Sequence, residues 1–288
     1  MTEIREADVG LGSAYERIAV YALLDRWFGG AGIGSALEGP VDAMAGMAGL
    51  HLIGLARHGL RVTVALPDDA SLEIVRRTYR ALGIEDRLTT LRLADPAEAA
   101  GAGPFDLVLS YNALPVVADW RDYLRRLAPL ARRELVVAVT NPDSYGVMLR
   151  RLQRRLEPHH APELFDHPST RNHELVPALA QLGRIQDRAF VDCPWWPDFV
   201  VPTAESLRRG MPAGLGVLKS NITSRHARFR YTPESFPLFA GQPGHEELHR
   251  ALARHPVFEG RGRWLGRAFG HLHAFRIEVE QAGLVGVG

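Results

Sequence analysis

The residues whose types and spacing could carry chemistry begin with a glycine-bearing turn that follows an apolar segment. Glu38 and Gly39 open this turn, and Asp42, Gly46 and Gly49 follow within it. Glycines let the backbone approach a ligand closely, and a carboxylate accepts hydrogen bonds from ribose hydroxyls or from an ammonium group. A carboxylate would repel a pyrophosphate, so we expect a cationic or neutral nucleoside ligand. An ordinary tight turn between a strand and a helix is the other interpretation.

A second group of candidates lies in a segment rich in histidine and proline. His159 and His160 are candidate general bases, because imidazole titrates near neutral pH. Asp192 and Asp198 are alternative bases. The histidine spacing matches no standard zinc pattern, so we predict no metal site. Surface histidines without a catalytic role are the other interpretation.

Two adjacent tryptophans are the main candidates for substrate contact. Trp195 and Trp196 stand between Pro194 and Pro197, with Asp198 directly after them. Indole rings held between prolines offer a stiff aromatic wall for a flat or apolar substrate or for a cation. A core plug or a subunit interface, as in a homodimer, is equally compatible with the pair because tryptophan is also enriched in interfaces.

Alternating strands and helices must position these residues. Apolar runs predict strands near residues 35–38, 61–66, 88–93, 105–110 and 134–140, with helices between them that include one from about Met44 to His58. This alternation indicates a doubly wound, mostly parallel α/β sheet covered on both faces, with ligands at the carboxyl ends of its strands. We assign an N-terminal lid helix to residues 1–34, the α/β core to 35–141 and an irregular substrate-binding extension to 142–288. A late strand near residues 271–279 is expected to return to the sheet.

Composition limits the classes of partner. The 288 residues include 34 Lys+Arg against 33 Asp+Glu, a formal net charge of +1, so a general nucleic-acid binder is not expected. The single cysteine excludes an intrachain disulfide and fits a reducing, cytoplasmic compartment. The polar start and the lack of a long apolar run predict neither a signal peptide nor stable membrane insertion.

Four elements together resemble the class I S-adenosylmethionine-dependent methyltransferases. They are Leu37 to Gly39 with the glycines that follow, Arg61 to Thr63 followed by acids, Ala94-Asp95 after a strand, and Phe105 to Leu114. The last is the most specific, because an apolar strand that ends in Ser-Tyr-Asn-Ala-Leu is similar to that family's fourth motif. The resemblance covers roughly residues 13–141 and implies a Rossmann-like methyltransferase fold.

The resemblance also implies S-adenosylmethionine as the cofactor, and a role for each matching position. The turn that contains Glu38, Gly39, Asp42, Gly46 and Gly49 would surround the methionine and ribose parts of the cofactor. Asp68, or Asp69, would accept hydrogen bonds from the ribose hydroxyls, and Asp95 would meet the adenine amino group.

Further positions would lie near the reacting centre. The resemblance implies that Ser110, Tyr111 and Asn112 line the cofactor near its sulfonium and the entering substrate. Tyr15 and Tyr21, on the N-terminal helix, would close over the cofactor as a lid.

The expected reaction is methyl transfer to an O, N or C nucleophile of a small, partly apolar molecule. A catalytically silent, methyltransferase-like subunit that binds and regulates a partner is the alternative, because Pro40 and extra residues stretch the turn between Glu38 and Gly49. A dinucleotide-dependent oxidoreductase would need Gly-x-Gly-x-x-Gly directly after the first strand, and this sequence lacks it.

Overall fold

A computed structural model describes residues 6–42, 46–148, 151, 167–194, 229–253 and 257–279 of the chain. The candidate bases His159 and His160 lie outside the described residues, as do the substrate candidates Trp195, Trp196 and Asp198. The interpretations given for these five residues therefore stay predictions.

The secondary structure follows the predicted alternation. The described strands are β1 (Asp8–Val9), β2 (Ser35–Asp42), β3 (Arg61–Leu66), β4 (Leu88–Arg92), β5 (Phe105–Tyr111), β6 (Ala131–Thr140), β7 (Gly183–Val191), β8 (Arg230–Tyr231) and β9 (Leu272–Val279). The described α-helices are α1 (Leu11–Phe28), α2 (Ile53–Arg57), α3 (Asp69–Ala81), α4 (Trp120–Leu127), α5 (Asn172–Ala180), α6 (His245–Leu252) and α7 (Arg263–Phe269).

Seven of these strands form one mixed sheet in the order β4-β3-β2-β5-β6-β9-β7. β2 pairs in parallel with β3 and with β5, β3 with β4, and β5 with β6. β9 runs antiparallel to both β6 and β7. The predicted doubly wound, mostly parallel fold is therefore confirmed. The strand order reverses between β2 and β5, which is where open α/β sheets bind ligands.

Apolar residues on successive strand positions build a core on each face of the sheet. In β2, Ala36 belongs to one buried cluster and Leu37 to the other, and Leu107 and Val108 divide in the same way in β5. Helices α1, α2 and α3 cover the first face, while α4 and α5 cover the second. Strands buried on both faces read as continuous apolar runs, which explains why the sequence revealed them clearly.

The predicted helix from Met44 to His58 is wrong over residues 46–52. The chain bends through this segment, and only Ile53–Arg57 is helical. Gly49 has a φ of 71°, which an α-helix does not allow. Side-chain carboxylates accept several of the amide hydrogens that a helical turn would have used. β2 also runs further than predicted, to Asp42.

Two further elements join distant parts of the chain. β1 pairs with β8 in a small antiparallel sheet that connects residues 8–9 to residues 230–231. β9, from the last described segment, lies inside the main sheet between β6 and β7. Among the described residues, no helix combines the length and apolarity needed to span a bilayer.

Candidate functional site

The candidate site lies at the carboxyl ends of β2 and β5, where the strand order reverses. Asp42 ends β2, Tyr111 ends β5, and the two residues are register partners in the sheet. Asn112 follows directly with a φ of 46°, and its side-chain oxygen accepts hydrogen bonds from the main-chain N–H and hydroxyl of Thr140. The sequence therefore predicted three residues that meet at the switch point of the sheet.

Glu38 holds the turn together from inside the protein. Its side chain is buried, and its two oxygens accept the main-chain N–H groups of His51 and Leu52, both at 2.9 Å. The Nδ1 atom of His51 lies 2.7 Å from the same carboxylate. Burial opposes the charge of Glu38, but His51 and the two amides outweigh it and lower the pKa of this carboxyl. Its contact with a cofactor stays a prediction.

His51 is a part of this site that sequence reasoning missed. Its fully buried ring stacks on Tyr111, with the ring centroids 3.6 Å apart and an interplanar angle of 19°. Nδ1 also lies 3.5 Å from Asp42 Oδ2. Burial opposes the charge of the imidazole, but the carboxylates of Asp42 and Glu38 outweigh it and raise the pKa of His51.

Glu38, Asp42 and His51 also have the spacing of a metal-binding group. One ligand atom from each residue lies within 4.8 Å of the others. However, the Glu38 carboxylate and Nδ1 of His51 share a hydrogen bond, and both carboxylates accept main-chain N–H groups. These bonds account for the geometry as a hydrogen-bonded cluster.

A buried ion pair fills the space beneath the turn. Arg17 Nε lies 2.5 Å from Asp8 Oδ2, and neither side chain is exposed. The Asp8 carboxylate also accepts the main-chain N–H of Met47 at 2.7 Å. A Cβ atom on Gly46 would stand 1.8 Å from Asp8 Oδ1, so Gly46 permits this close approach of the carboxylate. The glycine is therefore explained by internal packing.

Three carboxylates thus accept hydrogen bonds from main-chain N–H groups between residues 47 and 52. Asp8 binds that of Met47, Asp42 binds that of Gly49 at 2.8 Å, and Glu38 binds the last two. A phosphate bound at such a turn would need the same donors and would meet negative charge. The electrostatics of the turn therefore disfavour a pyrophosphate.

Other acidic groups surround Tyr111. Its hydroxyl donates a hydrogen bond to the Glu16 carboxylate on α1. Burial raises the pKa of Tyr111 well above its ordinary value, and the negative charges of Glu16, Asp192 and Asp42 raise it further. Acidic groups from α1, from the end of β2 and from the residue after β7 therefore act on Tyr111, while His51 stacks on its ring.

Asp192 belongs to a second polar group at the same edge of the sheet. It follows the end of β7 with a φ of 57°, and its Oδ2 lies 2.8 Å from Nδ1 of His271. Asp192 and Asn112 are the non-glycine residues with positive φ in the described part of the chain, and each directly follows a strand end. Such backbone strain often occurs at functional sites.

Tyr15 joins α1 to this second group. Its hydroxyl donates to Glu259 at 2.8 Å, and the same carboxylate oxygen accepts the main-chain N–H of Cys193 at 2.9 Å. Burial raises the pKa of Glu259, and the charge of Asp192 raises it further. The carboxyl groups of Asp192 and Glu259 therefore lie in different environments. Asp192 lies beside His271, and Glu259 lies beside the hydroxyl of Tyr15.

The two acids predicted to bind ribose and adenine follow strand ends, where Asp68 caps α3 and Asp95 caps a short 3₁₀ helix, Pro96–Gly101. Asp68 is the N-cap of α3 and accepts the main-chain N–H of Ser71 at 2.7 Å. Asp95 accepts the N–H of Ala97 at 2.8 Å and pairs with Arg126. Both follow the carboxyl ends of their strands, β3 and β4, so both lie on the ligand side of the sheet.

Some predicted site residues face away from the switch point or serve internal contacts. Ser110 is fully buried on the face of β5 opposite to Tyr111. The Tyr21 hydroxyl donates to the main-chain oxygen of Leu50, and its ring stacks on Phe239. A Cβ atom on Gly39 would stand 2.0 Å from the main-chain oxygen of Ala65. Direct cofactor contacts by Ser110, Tyr21 and Gly39 stay predictions.

The comparisons with known proteins concern the fold. Magnesium protoporphyrin IX methyltransferase from Synechocystis, solved with bound SAH, shares 19% identity, with 63% of this chain and 78% of that chain covered and a TM-score of 0.49. StiE O-MT, residues 961–1257, shares 14% identity, with 92% and 74% covered and a TM-score of 0.43. The MccD protein shares 7% identity, with 91% and 96% covered and a TM-score of 0.49.

The seven-stranded sheet of this chain is a doubly wound, mostly parallel α/β sheet in its own right. At these identities and TM-scores the likeness carries no conclusion about what the chain binds. No protein-family model matches the sequence, and no curated protein matches it.

Proposed function

We propose that the protein binds S-adenosylmethionine and transfers its methyl group to an O, N or C nucleophile of a small, partly apolar molecule. The observation that carries the proposal is the group of acids at the switch point: Glu16 accepts the hydrogen bond of the Tyr111 hydroxyl, Asp42 is the register partner of Tyr111, and Asp192 follows the end of β7 at the same edge. Negative charge beside an aromatic ring attracts a sulfonium cation. The same charge opposes the pyrophosphate of a dinucleotide.

The residues present fit this cofactor in charge and in position. Asp42 and Tyr111 would lie near the sulfonium, Asp68 would accept the ribose hydroxyls, and Asp95 would meet the adenine amino group. These residues follow or end β2, β5, β3 and β4, four neighbouring strands whose carboxyl ends form one edge. The cofactor would supply an electrophilic methyl group, and the chain would supply alignment, which is the main requirement of such a transfer.

A proton acceptor is needed chiefly when the nucleophile is a hydroxyl group. The Asp192–His271 pair is our candidate for this task. A carboxylate at Nδ1 fixes the orientation of an imidazole and stabilises its protonated form. The pair lies at the ends of β7 and β9 that border the switch-point edge, with His271 N–H donating to the main-chain oxygen of Asp192 at 2.9 Å.

A catalytically silent subunit is the second candidate, and one observation favours it. The main-chain N–H groups of Met47, Gly49, His51 and Leu52 already have carboxylate acceptors from the protein. A turn that is satisfied internally offers fewer donors to a bound cofactor. Such a protein would retain the fold and act through a partner.

Isothermal titration calorimetry on the full chain distinguishes these functions. We expect S-adenosylmethionine and S-adenosylhomocysteine to bind and NAD not to bind. Binding of neither S-adenosyl compound would favour the silent subunit. Binding of NAD alone would overturn the proposal.

A further inference from the structure

Two large apolar side chains are exposed in neighbouring segments of the chain. Trp264 on α7 is 76% exposed, and Met148 is 62% exposed, which makes them the two most exposed large apolar residues in the described part of the chain. Tyr145, three residues before Met148, contacts Phe269 of α7 with the ring centroids 4.9 Å apart. Soluble surfaces leave few large apolar groups together, and such groups often mark an interaction surface.

Helical periodicity explains why α7 presents Trp264 to solvent. Gly266 is the inner side of the helix, because a Cβ atom there would stand 3.1 Å from Cβ of Phe190 in β7. Residues three and four apart share one face of a helix. Arg263 and Arg267 therefore lie together with Trp264 on the outer side, and all three are exposed.

Positive charge surrounds the exposed indole ring. Four exposed arginines lie on α7, shortly before it or in the neighbouring strand β7: Arg188, Arg261, Arg263 and Arg267. Burial lowers the pKa of His273, and the charges of all of these except Arg261 lower it further. Asp143 is the carboxylate that opposes them there, and it pairs with Arg267 at 3.0 Å. These four arginines and Trp264, called the basic face below, therefore carry a net positive charge.

We propose that the basic face binds the phosphate headgroups of an anionic lipid bilayer, with Trp264 in the interfacial layer. Indole rings favour the boundary between headgroups and acyl chains, and arginine side chains bury their stems while their guanidinium groups pair with phosphate. The net charge of the whole chain is only +1, so the attraction is local to this face and does not suit a long polyanion. This binding does not depend on the proposed function.

The basic face is joined to the candidate site through the end of β6. Asn141 directly follows β6, and its Nδ2 donates to the main-chain oxygens of Arg267 and Gly270, both at 2.8 Å. His271, the next residue, belongs to the Asp192–His271 pair. A bilayer at the basic face would therefore lie near the edge at which an acceptor enters. This last consequence rests on the proposed function, and it matches the partly apolar acceptor proposed there.

The test is co-sedimentation of the full chain with lipid vesicles, without cofactor. One set of vesicles contains phosphatidylcholine alone, and the other contains equal parts of phosphatidylcholine and phosphatidylglycerol. We expect wild type to bind the anionic vesicles about tenfold or more tightly than the neutral ones, because each arginine near the surface gains from the lipid charge. Salt at about 0.5 M should release the protein, since it screens this attraction.

Two variants change the basic face without touching buried residues. Trp264→Ser should weaken binding to anionic vesicles about tenfold or more, because the indole ring no longer enters the interface. Arg263→Gln should weaken it about fivefold, the effect of one charge near the surface. The control is Arg125→Gln, which removes the same charge from an exposed position on α4 and should bind as wild type does.

Several results would overturn the proposal. They are absence of binding to anionic vesicles at low salt, equal binding to both sets of vesicles, and unchanged binding by Trp264→Ser. Sedimentation velocity adds a further one, because a dimer that Trp264→Ser dissociates, without vesicle binding, would show that a second copy of the chain covers this face. The calorimetry with S-adenosylmethionine is a separate measurement, so failure of either proposal leaves the other to be judged by its own result.

Discussion

A substitution at Asp42 tests whether the site prefers a positively charged ligand to a neutral one. S-adenosylmethionine carries a sulfonium charge that S-adenosylhomocysteine lacks. Asp42→Asn keeps an acceptor for the N–H of Gly49 and removes the negative charge. We expect affinity for S-adenosylmethionine to fall roughly five- to tenfold, with a smaller loss for the neutral product, because only the cation gains from the carboxylate. Calorimetry with both ligands measures the difference.

Asp106→Asn is the matched control for this change. Asp106 lies at the opposite end of the sheet, where it accepts the main-chain N–H groups of Gly34 and Ser35. This variant should affect stability but not ligand preference. Equal losses for both ligands in Asp42→Asn would show that the carboxylate acts through the turn and not through charge.

The sequence predicted the residues of the site unevenly. Asp42 was predicted as part of the glycine-bearing turn, Tyr111 and Asn112 were implied by the family resemblance, and the three residues meet at the switch point. Ser110 was included with them, although strand alternation turns adjacent residues to opposite faces. His51 and Glu16 were missed because the residue that both contact, Tyr111, is distant from them in sequence. Glu16 contacts Tyr111, 95 residues away, and no local pattern signals that pairing.

At the scale of elements, a substitution at a helix N-cap can distinguish a structural role of the residue from a role in cofactor binding. Asp68 caps α3 and is also the predicted ribose acceptor. Asp68→Ser keeps a good N-cap, so the melting temperature should change little. The shorter serine would not reach a ribose, so we expect affinity for S-adenosylmethionine to fall about tenfold, as for loss of a hydrogen bond to a charged group. Thermal unfolding and calorimetry measure the two effects.

Asp119→Ser is the comparison for this variant. Asp119 caps α4 through the N–H groups of Arg121 and Asp122 and has no predicted ligand role. It should retain both stability and affinity. Unchanged affinity in Asp68→Ser would remove Asp68 from the site and leave Asp69, the alternative, as the predicted ribose acceptor.

The prediction of secondary structure was wrong where side-chain carboxylates, and not main-chain carbonyl groups, accept the main-chain N–H hydrogen bonds. Apolar runs located β3, β5 and β6 closely, because strands buried on both faces carry that signal. The helix predicted from Met44 fails over residues 46–52, because Glu38, Asp42 and Asp8 take the amide hydrogens of the turn. Asp8 reaches Met47 from 39 residues away, and a pattern within a window of the sequence cannot contain that contact.

At the scale of the whole molecule, buried groups with lowered pKa values and a buried group with a raised pKa set the range of pH in which the fold is stable. Asp8 and Glu38 have lowered pKa values, since their ion partners and hydrogen bonds outweigh burial. Their stabilisation is present above the unfolded pKa and is lost as pH falls through the folded one. His51 has a raised pKa, so its stabilisation is lost as pH rises.

His273 makes the free energy of unfolding more sensitive to acidic pH. It lies in β9 between Phe190 and Phe275, with ring centroids at 4.4 and 4.1 Å. Burial, together with the charge of Arg188, lowers the pKa of His273 to about 4. The unfolded chain therefore binds a proton more readily than the folded one between pH 6.5 and 4. Over that window the free energy of unfolding should fall by about 3 kcal/mol on account of this group.

His273→Leu tests this origin of acid sensitivity. Leucine fills a similar volume among the same rings, and Nδ1 of His273 has no hydrogen-bond partner among the described residues that the change would remove. Urea unfolding at several pH values should give a flatter acidic limb for the variant, whatever its stability at pH 7. Its alkaline limb should match wild type, because His51 is unchanged. Parallel acidic limbs would show that carboxylates such as Asp8 and Glu38, and not this histidine, govern unfolding in acid.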